Sequence, residues 1–582
     1  MCGIFALFNN SVSLNDLDKY TIDYIKDNFN KGQCRGPENA VFKFINDNIA
    51  FGFHRLAING LDDISNQPIC IDGVYLICNG EIYNYKKIYN QLKINPKTNS
   101  DCESIIHLYK KYGIKYTLQN LDGVFSFVLY DSIKRVTYIA RDPFGVRPLY
   151  FGINTDNYGQ ENYVFSSLLK QITDICPQCY NFKAGTYMKL SQYIGNHISS
   201  YIFKKYTNFN YNHNSFINNI ISNNYNQYYQ LIYNTLFEAV KKRVITMERN
   251  LACLLSGGLD SSLISALVSK FVPSGQLQTY SIGMTGGSDL AYAKMVSTHI
   301  NSNHTEIILT EDDFFNAIKD VIYSIESYDT TTVRASVGNY LIAKYISEHS
   351  DAKVIFNGDG SDELTGGYMY FHNCPSDIEF DFECKRLLKN IQYFDVLRSD
   401  RCISSHGLEA RTPFLDRTFV HSYLSLPINI RNHNNGNKIE KYLLRKSIEQ
   451  MEPNLLPYDV LWRPKEAFSD GVSCQDKSWF EIIQSKLEDK YSNETFEKLK
   501  KKYDCNPPTT KEQLYYREIF ENNYPDKGYI IPHFWMPQYT NATDSSARNL
   551  KIYKDKMKIR NVCIDDCNIS DIDNDNDSDF SL

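Results

Sequence analysis

The nine residues Leu254-Leu255-Ser256-Gly257-Gly258-Leu259-Asp260-Ser261-Ser262 restrict the folds open to this chain more than any other stretch. The apolar run Leu251 to Leu255 has the length and bounded character of a buried strand. It feeds a Gly-Gly turn and then an amphipathic segment from Ser262 to Phe271, so strand, tight loop and helix are predicted in that order. Two adjacent glycines permit a sharp turn and let a ligand come close to the backbone. Ser256, Ser261 and Ser262 place hydroxyls and N–H groups at a helix N-terminus, where the dipole favours an anion. A phosphate is the natural guest. The Gly-Lys-Ser/Thr ending of the common nucleotide loop, whose lysine reaches the outer phosphates, is missing, so that assignment fails. A glycine turn with a serine-capped helix is the plain structural alternative.

A chain of 582 residues predicts at least two domains with interior to spare for a buried site. Its formal charge of −6 gives no global basic footprint, which argues against nucleic acid as a partner. The apolar N-terminus, Met1 to Phe8, lacks a basic flank and a small-residue cleavage site and stops at Asn9-Asn10, so it does not read as a signal peptide. No apolar run reaches the ~18 residues that cross a bilayer, so no membrane role is expected and the cytoplasm is the default location. The 15 cysteines, an odd number read as scattered without C-x-x-C or zinc spacing, point to reduced thiols.

Cys2 follows the initiator methionine directly. Once Met1 is trimmed, thiol and free α-amine share one residue, and an amine of pKa about 7.7 to 8.0 can act as the base for its own nucleophile. A buried structural thiol is the ordinary fate of a lone cysteine. The neighbours change the balance: Arg35-Gly36-Pro37-Glu38, Phe53-His54-Arg55-Leu56-Ala57-Ile58, Asn79-Gly80-Glu81-Ile82-Tyr83-Asn84, Ser100-Asp101-Cys102-Glu103 and Arg141-Asp142-Pro143-Phe144-Gly145-Val146-Arg147-Pro148 follow in that order. Singly each is a turn or loop signal. Together they resemble the N-terminal-nucleophile (class II) glutamine amidotransferase domain over about residues 1 to 190. The resemblance implies Cys2 as nucleophile, with Asn79 and Gly80 forming the oxyanion hole. It further implies Arg55 on the α-carboxylate of glutamine, with Leu56, Ala57, Ile58 and Asn59 beside it, and Asp101 with Glu81 on the α-ammonium. Gly80 is expected to lack a side chain so that its N–H can be approached. Leu168 stands where the family usually has an acid.

Downstream, strands (Leu277 to Met284, His304 to Ile308, Lys353 to Phe356) alternate with helices (Leu290 to Ile300, Phe314 to Ser324, Val337 to Glu348). That alternation predicts an open parallel sheet binding its ligand at the carboxyl ends of the strands. The opening loop resembles the pyrophosphate loop of ATP pyrophosphatases, which cut ATP between its α- and β-phosphates. Thr330-Thr331-Thr332-Val333-Arg334, Asn357-Gly358-Asp359-Gly360-Ser361-Asp362-Glu363, Gly407-Leu408-Glu409-Ala410-Arg411-Thr412-Pro413 and Trp462-Arg463-Pro464-Lys465-Glu466 extend the likeness to about residue 550. The chain is identified as a member of the glutamine-hydrolysing asparagine synthetase family.

This resemblance implies ATP contacts at Leu255, Ser256, Gly257, Gly258, Asp260, Ser261, Ser262, Ile282, Asn357 and Gly358, and aspartate contacts at Thr331, Thr332 and Arg334. It implies Mg2+ on Asp260 and Asp362, and catalytic roles for Asp359 and Lys465. Glutamine, aspartate and ATP are the implied small-molecule partners, and a homodimer is a compatible assembly. One departure is internal: the family usually has Ser-Gly-Glu-Gly where this chain has Asn357-Gly358-Asp359-Gly360, and aspartate reaches one methylene less. A misplacement of ~1 Å can cost ~100-fold in rate, which keeps open a ligase of other specificity, such as one closing a β-lactam, or a weakly active glutamine sensor.

The expected architecture is an α+β N-terminal-nucleophile domain (1–195), a two-layer β sandwich with flanking helices. An Asn- and Tyr-rich linker (196–230) joins it to an α/β parallel-sheet domain (231–548). A disordered acidic tail (549–582) ends the chain; its alternating aspartates lack the central Gly of a calcium loop.

Overall fold

A computed structural model describes residues 1–157, 159–192, 198–207, 225–473 and 477–550. The expected tail lies almost wholly outside the described residues.

The N-terminal part is built of two six-stranded antiparallel sheets. In the first, strand Gly3–Phe8 lies between Ile49–Arg55 and Glu161–Ser166. In the second, Val74–Ile82 lies between Ile69–Ile71 and Gly123–Asp131. The two-residue period of a strand turns Ile4, Ala6 and Phe8 toward the second sheet, where they share a core with Ile77, Val128 and Ile139. Phe5 and Leu7, on the opposite face, pack with Phe29 and Leu169. The second sheet's outer face buries Leu76, Phe127 and Leu129 beneath helix Glu103–Asn120 through Ile105, Ile106 and Leu118. Strands Gly3–Phe8 and Ile49–Arg55 are thus buried on both faces, which explains their apolar runs, whereas the edge strand Asn39–Asn46 stays partly exposed.

Both ends of the stretch expected as linker hold regular structure. Ile198–Lys205 is a strand that pairs antiparallel with Thr186–Gln192, and helix Tyr225–Ile245 is under way five residues before position 230.

The second part holds a five-stranded parallel sheet in the order Asn303–Leu309, Gln278–Met284, Leu251–Leu254, Val354–Phe356, Glu409–Arg411. The chain moves outward from Leu251–Leu254 on one side and returns to fill the other, so the loops after Leu251–Leu254 and Val354–Phe356 part at a topological switch point, where open sheets bind ligands. Three predicted helices need correction. The helix after the Gly-Gly turn begins at Leu259, not Ser262, with Gly258 as N-cap. Phe314 to Ser324 is two helices, Glu311–Asn316 and Ile318–Ile325, meeting at Ala317. The helix expected from Val337 runs from Thr330 to His349, because the Asp329 carboxylate accepts from the Thr332 N–H at its N-terminus. The β-branched run Thr330 to Val333 has low helix propensity and disguises that turn.

Charged side chains join the two parts in their interior. Arg35 donates to Asp400 at 2.7 Å, and the side chains of both are at most 2% exposed. Arg147 lies 3.6 Å from Asp400 and 3.4 Å from Glu409. Arg411 spans Glu409 at 2.9 Å and Glu81 at 3.2 Å. Near Leu168, where an acid was expected, the N–H groups of Leu169 and Lys170 donate to Glu326 of the second part at 2.9 and 3.0 Å. No disulfide joins the cysteines of the described residues. Contrary to the expectation of scattered cysteines, Cys176 and Cys179 do stand at C-x-x-C spacing; both are buried and free. No described helix is long and apolar enough to cross a membrane.

Removing one partner of a buried pair leaves an uncompensated charge, at a cost of ~3 to 5 kcal/mol. Asp400→Asn should therefore lower the calorimetric unfolding temperature by several degrees, and a shift below ~1 °C would show that the seam carries no stability.

Candidate active sites

The first site surrounds Cys2. Strand Gly3–Phe8 begins beside it, and Arg35, fully buried, donates through Nε to the Cys2 carbonyl at 2.9 Å. The Asn79 amide, turned with its nitrogen toward that carbonyl, donates at 3.0 Å while its oxygen accepts from Arg35 Nη2 at 3.3 Å. The Cys2 thiol donates to the Leu56 carbonyl at 3.5 Å, and burial pushes it up to about 11. Met1 is itself buried. Its α-ammonium donates to the Leu408 carbonyl at 3.4 Å, and burial lowers that amine to about 6. While Met1 is attached the Cys2 nitrogen is an amide and cannot serve as a base.

The other predicted residues of this site are present and buried, several already engaged. Arg55 donates to the Asp62 carbonyl at 2.8 Å, to Asn66 Oδ1 at 2.7 Å and to the Gly60 carbonyl. Asn59 donates to Glu81 at 2.6 Å, and burial raises the Glu81 carboxyl well above its ordinary range despite Arg411. Asp101 accepts from the Ile82 N–H at 2.5 Å and is raised by burial to about 6. The Ala57 N–H donates to Glu38 at 2.7 Å. Glycine at position 80 is also required by packing: a Cβ there would stand 2.4 Å from the Val124 carbonyl and 2.7 Å from Phe125 Cα, so the neighbouring strand excludes a side chain.

The second site is the cavity at the switch point. Leu255, Ser256, Gly258, Asp260, Ser261, Ile282, Thr331, Thr332, Asn357, Gly358, Asp359, Asp362 and Lys465 all line it. The loop is tied by Ser256 Oγ to Ser261 Oγ at 2.9 Å and by Ser256 N–H to Ser261 Oγ at 3.1 Å. Gly257 has φ +75°, and a Cβ on it would meet Ala293 N at 2.5 Å, so only glycine fits the turn. Gly358 lets the neighbouring loop approach: its Cβ would lie 2.7 Å from Asp260 Cβ and 2.8 Å from Ser261 N.

Two predicted side chains are not in the cavity. Ser262 is fully buried on the packed face of its helix, because a helix beginning at Leu259 turns it inward. Arg334 is held by Glu512 at 2.8 and 2.6 Å and by Asp544 at 2.9 and 2.8 Å, so its guanidinium fork is engaged as a buried clamp. Thr332 Oγ1 donates to Asp329 at 2.7 Å, and Thr331 Oγ1 donates to the Trp535 carbonyl at 3.4 Å.

Lys465 lies 2.7 Å from Asp362 Oδ2. Burial alone would raise the Asp362 carboxyl, but the ammonium groups of Lys441 and Lys465 hold it far below the usual range. Asp359 accepts from Arg398 at 2.8 Å, and burial raises its carboxyl to about 6, with Arg398 opposing and Asp395 adding. Lys441, Arg398 and Arg463 line the cavity without having been singled out from sequence. Their only signal was position within or near matched motifs, since a cation far along the chain carries no mark of its spatial partner.

One centre built around an N-terminal cysteine and another around a pyrophosphate-type loop define a two-site amidotransferase ligase. The asparagine synthase family model matches residues 231–383 and 375–539, and the glutamine amidotransferase domain model matches 1–229. Curated glutamine-hydrolysing asparagine synthetases from Gallus gallus (42% identical over 577 residues), Bos taurus (41% over 577) and Homo sapiens (41% over 582) each cover 96% of this chain and match over their whole length. The chain belongs to the glutamine-hydrolysing asparagine synthetase family.

Gly358→Ala should abolish the rise in unfolding temperature that ATP confers, because its Cβ drives the two loops apart. Differential scanning fluorimetry with and without nucleotide reads this directly.

Proposed function

We propose that this chain makes asparagine from aspartate, using ATP for activation and glutamine as nitrogen donor. The observation that carries the reading is one helix, Asp395–Ser404, which reaches both centres. Its Arg398 holds Asp359 in the nucleotide cavity, and its Asp400 holds Arg35, which holds the Cys2 carbonyl.

At the first centre the Cys2 thiolate adds to the glutamine side-chain amide after its proton passes to the free α-amine left by removal of Met1. Asn79 and the Gly80 N–H stabilise the oxyanion, and Arg55, Asp101 and Glu81 hold the amino-acid head group. Ammonia leaves, and water releases glutamate from the thioester. At the second centre the β-carboxylate of aspartate attacks the α-phosphorus of ATP and pyrophosphate departs. Ammonia then displaces AMP from the β-aspartyl adenylate, giving asparagine. Ammonia released into water would be protonated, so passage through the protein interior keeps it nucleophilic.

Lys465 neutralises charge growing on the leaving pyrophosphate, and Ser256, Gly258 and Ser261 cradle the phosphates. Asp260 and Asp362 suit Mg2+. They would hold the ion: Asp260 Oδ1 is buried and accepts no hydrogen bond from the described residues, and carboxylate oxygens are the hard donors Mg2+ takes. When bound, that ion would add charge neutralisation on the phosphates. The domain borders that fit this division are 1–205 for the glutaminase and 225–550 for the synthetase.

A ligase that closes a ring needs no ammonia, and the complete set around Cys2 speaks against it. Cys2→Ala should abolish glutamine-dependent synthesis and spare ammonia-dependent synthesis; equal loss of both would defeat the two-centre scheme. A Cys2 chain that retains Met1, identified by mass spectrometry, should hydrolyse no glutamine. The resemblance gives Asp359 a part in forming the adenylate; ionised, it pairs with Arg398 in the cavity, and its charge is lost as pH falls through about 6. Aspartate-dependent pyrophosphate release should therefore decline with a midpoint near pH 6, and a flat profile across about pH 5 to 7 would exclude that role.

A further inference from the structure

Lys441 occupies the space between the two carboxylates assigned to the metal. Its Nζ lies 2.5 Å from Asp260 Oδ2 and 2.6 Å from Asp362 Oδ1, and its side chain is 1% exposed. Two features show that this placement is built. Lys441 takes a left-handed backbone conformation, φ 60° and ψ 22°, at the start of helix Tyr442–Met451, which is unfavourable for a residue bearing a Cβ and persists only where the surroundings enforce it. Gly367 supplies the room: a Cβ there would fall 2.1 Å from Lys441 Cε and 2.1 Å from Asp362 Oδ1. A strained backbone and a missing side chain thus converge on one ammonium.

We infer that Lys441 is the built-in counter-ion of the nucleotide-free site: its ammonium holds Asp260 and Asp362 at metal-ready separation, and passes to the phosphates when metal and nucleotide arrive. The inference rests on the reading of Asp260 and Asp362 as the metal pair. Without a cation, two carboxylates sharing a largely buried cleft repel each other and would either part or take up a proton. Lysine suits the task better than arginine because its ammonium is a compact point charge on a flexible stem and can swing from carboxylate to phosphate. Lys441 and Lys465 together balance Asp260 and Asp362. A divalent ion that takes over the carboxylates frees Lys441 to pair with the phosphates.

Opposite changes in two affinities test this. Lys441→Met and Lys441→Gln remove the competing cation, so each should bind Mn2+ alone, counted as free ion by electron paramagnetic resonance, about 10-fold tighter or more than the native chain. The same variants lose a phosphate partner and should bind ATP, measured calorimetrically at saturating Mg2+, about 10-fold weaker or more. Lys441→Arg keeps the charge and should leave Mn2+ binding as weak as in the native chain. Unchanged Mn2+ binding in both neutral variants, or a parallel weakening of Mn2+ and ATP, would overturn the role of Lys441. The double variant Asp260→Asn, Lys441→Met separates the underlying reading: if it keeps the gain in Mn2+ affinity, Asp260 is not a metal ligand, and the inference falls with that assignment.

Discussion

Burial of opposite charges along the seam between the two halves governs much of this molecule. Arg35, Arg147 and Arg411 are almost inaccessible to solvent, and each finds its carboxylate across or along the seam. Moving such ions out of water is costly and is offset only when geometry and hydrogen bonds are complete. That demand restricts how the halves can sit. The Arg35 guanidinium that meets Asp400 across the seam also holds the Cys2 carbonyl and the Asn79 amide, so the seam and the Cys2 centre share one side chain. The two centres are therefore mechanically joined through side chains rather than through the connecting segment.

The nucleotide cavity follows a similar logic on a smaller scale. Its carboxylates are balanced by cations from distant parts of the chain: Asp362 by Lys441 and Lys465, Asp359 by Arg398, Asp289 by Arg463. The replacement of the family's glutamate by Asp359 has a local counterpart. Asn357, where the family has serine, donates to the buried Ser399 hydroxyl at 2.7 Å, one residue along from Arg398. The loop is thereby tied to the helix that holds Asp359, which limits the freedom of a side chain shorter by one methylene.

Local chemistry was readable wherever a function needs neighbours in sequence. The loop Ser256 to Ser261 announced itself because its turn, its hydroxyls and the start of its helix lie within a few residues. Strand alternation after it was sufficient for a parallel sheet, since βαβ units are short-range objects. Misreadings had distinct sources: a local N-cap, Asp329, that begins a helix across a run of β-branched residues, and distant groups, Glu512 and Asp544, that occupy Arg334. The strand at Ile198–Lys205 was hidden because Asn- and Tyr-rich composition says little about pairing with an existing sheet edge.

Sequence alone determined the family and the order of its two parts, because the motifs that carry the likeness are runs of contiguous residues. Only the tertiary structure decided which charged groups face one another: that Lys441 lies between Asp260 and Asp362, that Arg334 is a clamp, and that a single helix reaches both centres. The physical reason is that an ion pair in a low-dielectric interior depends on distance in space, and residues separated by hundreds of positions carry no record of that distance in their own identity.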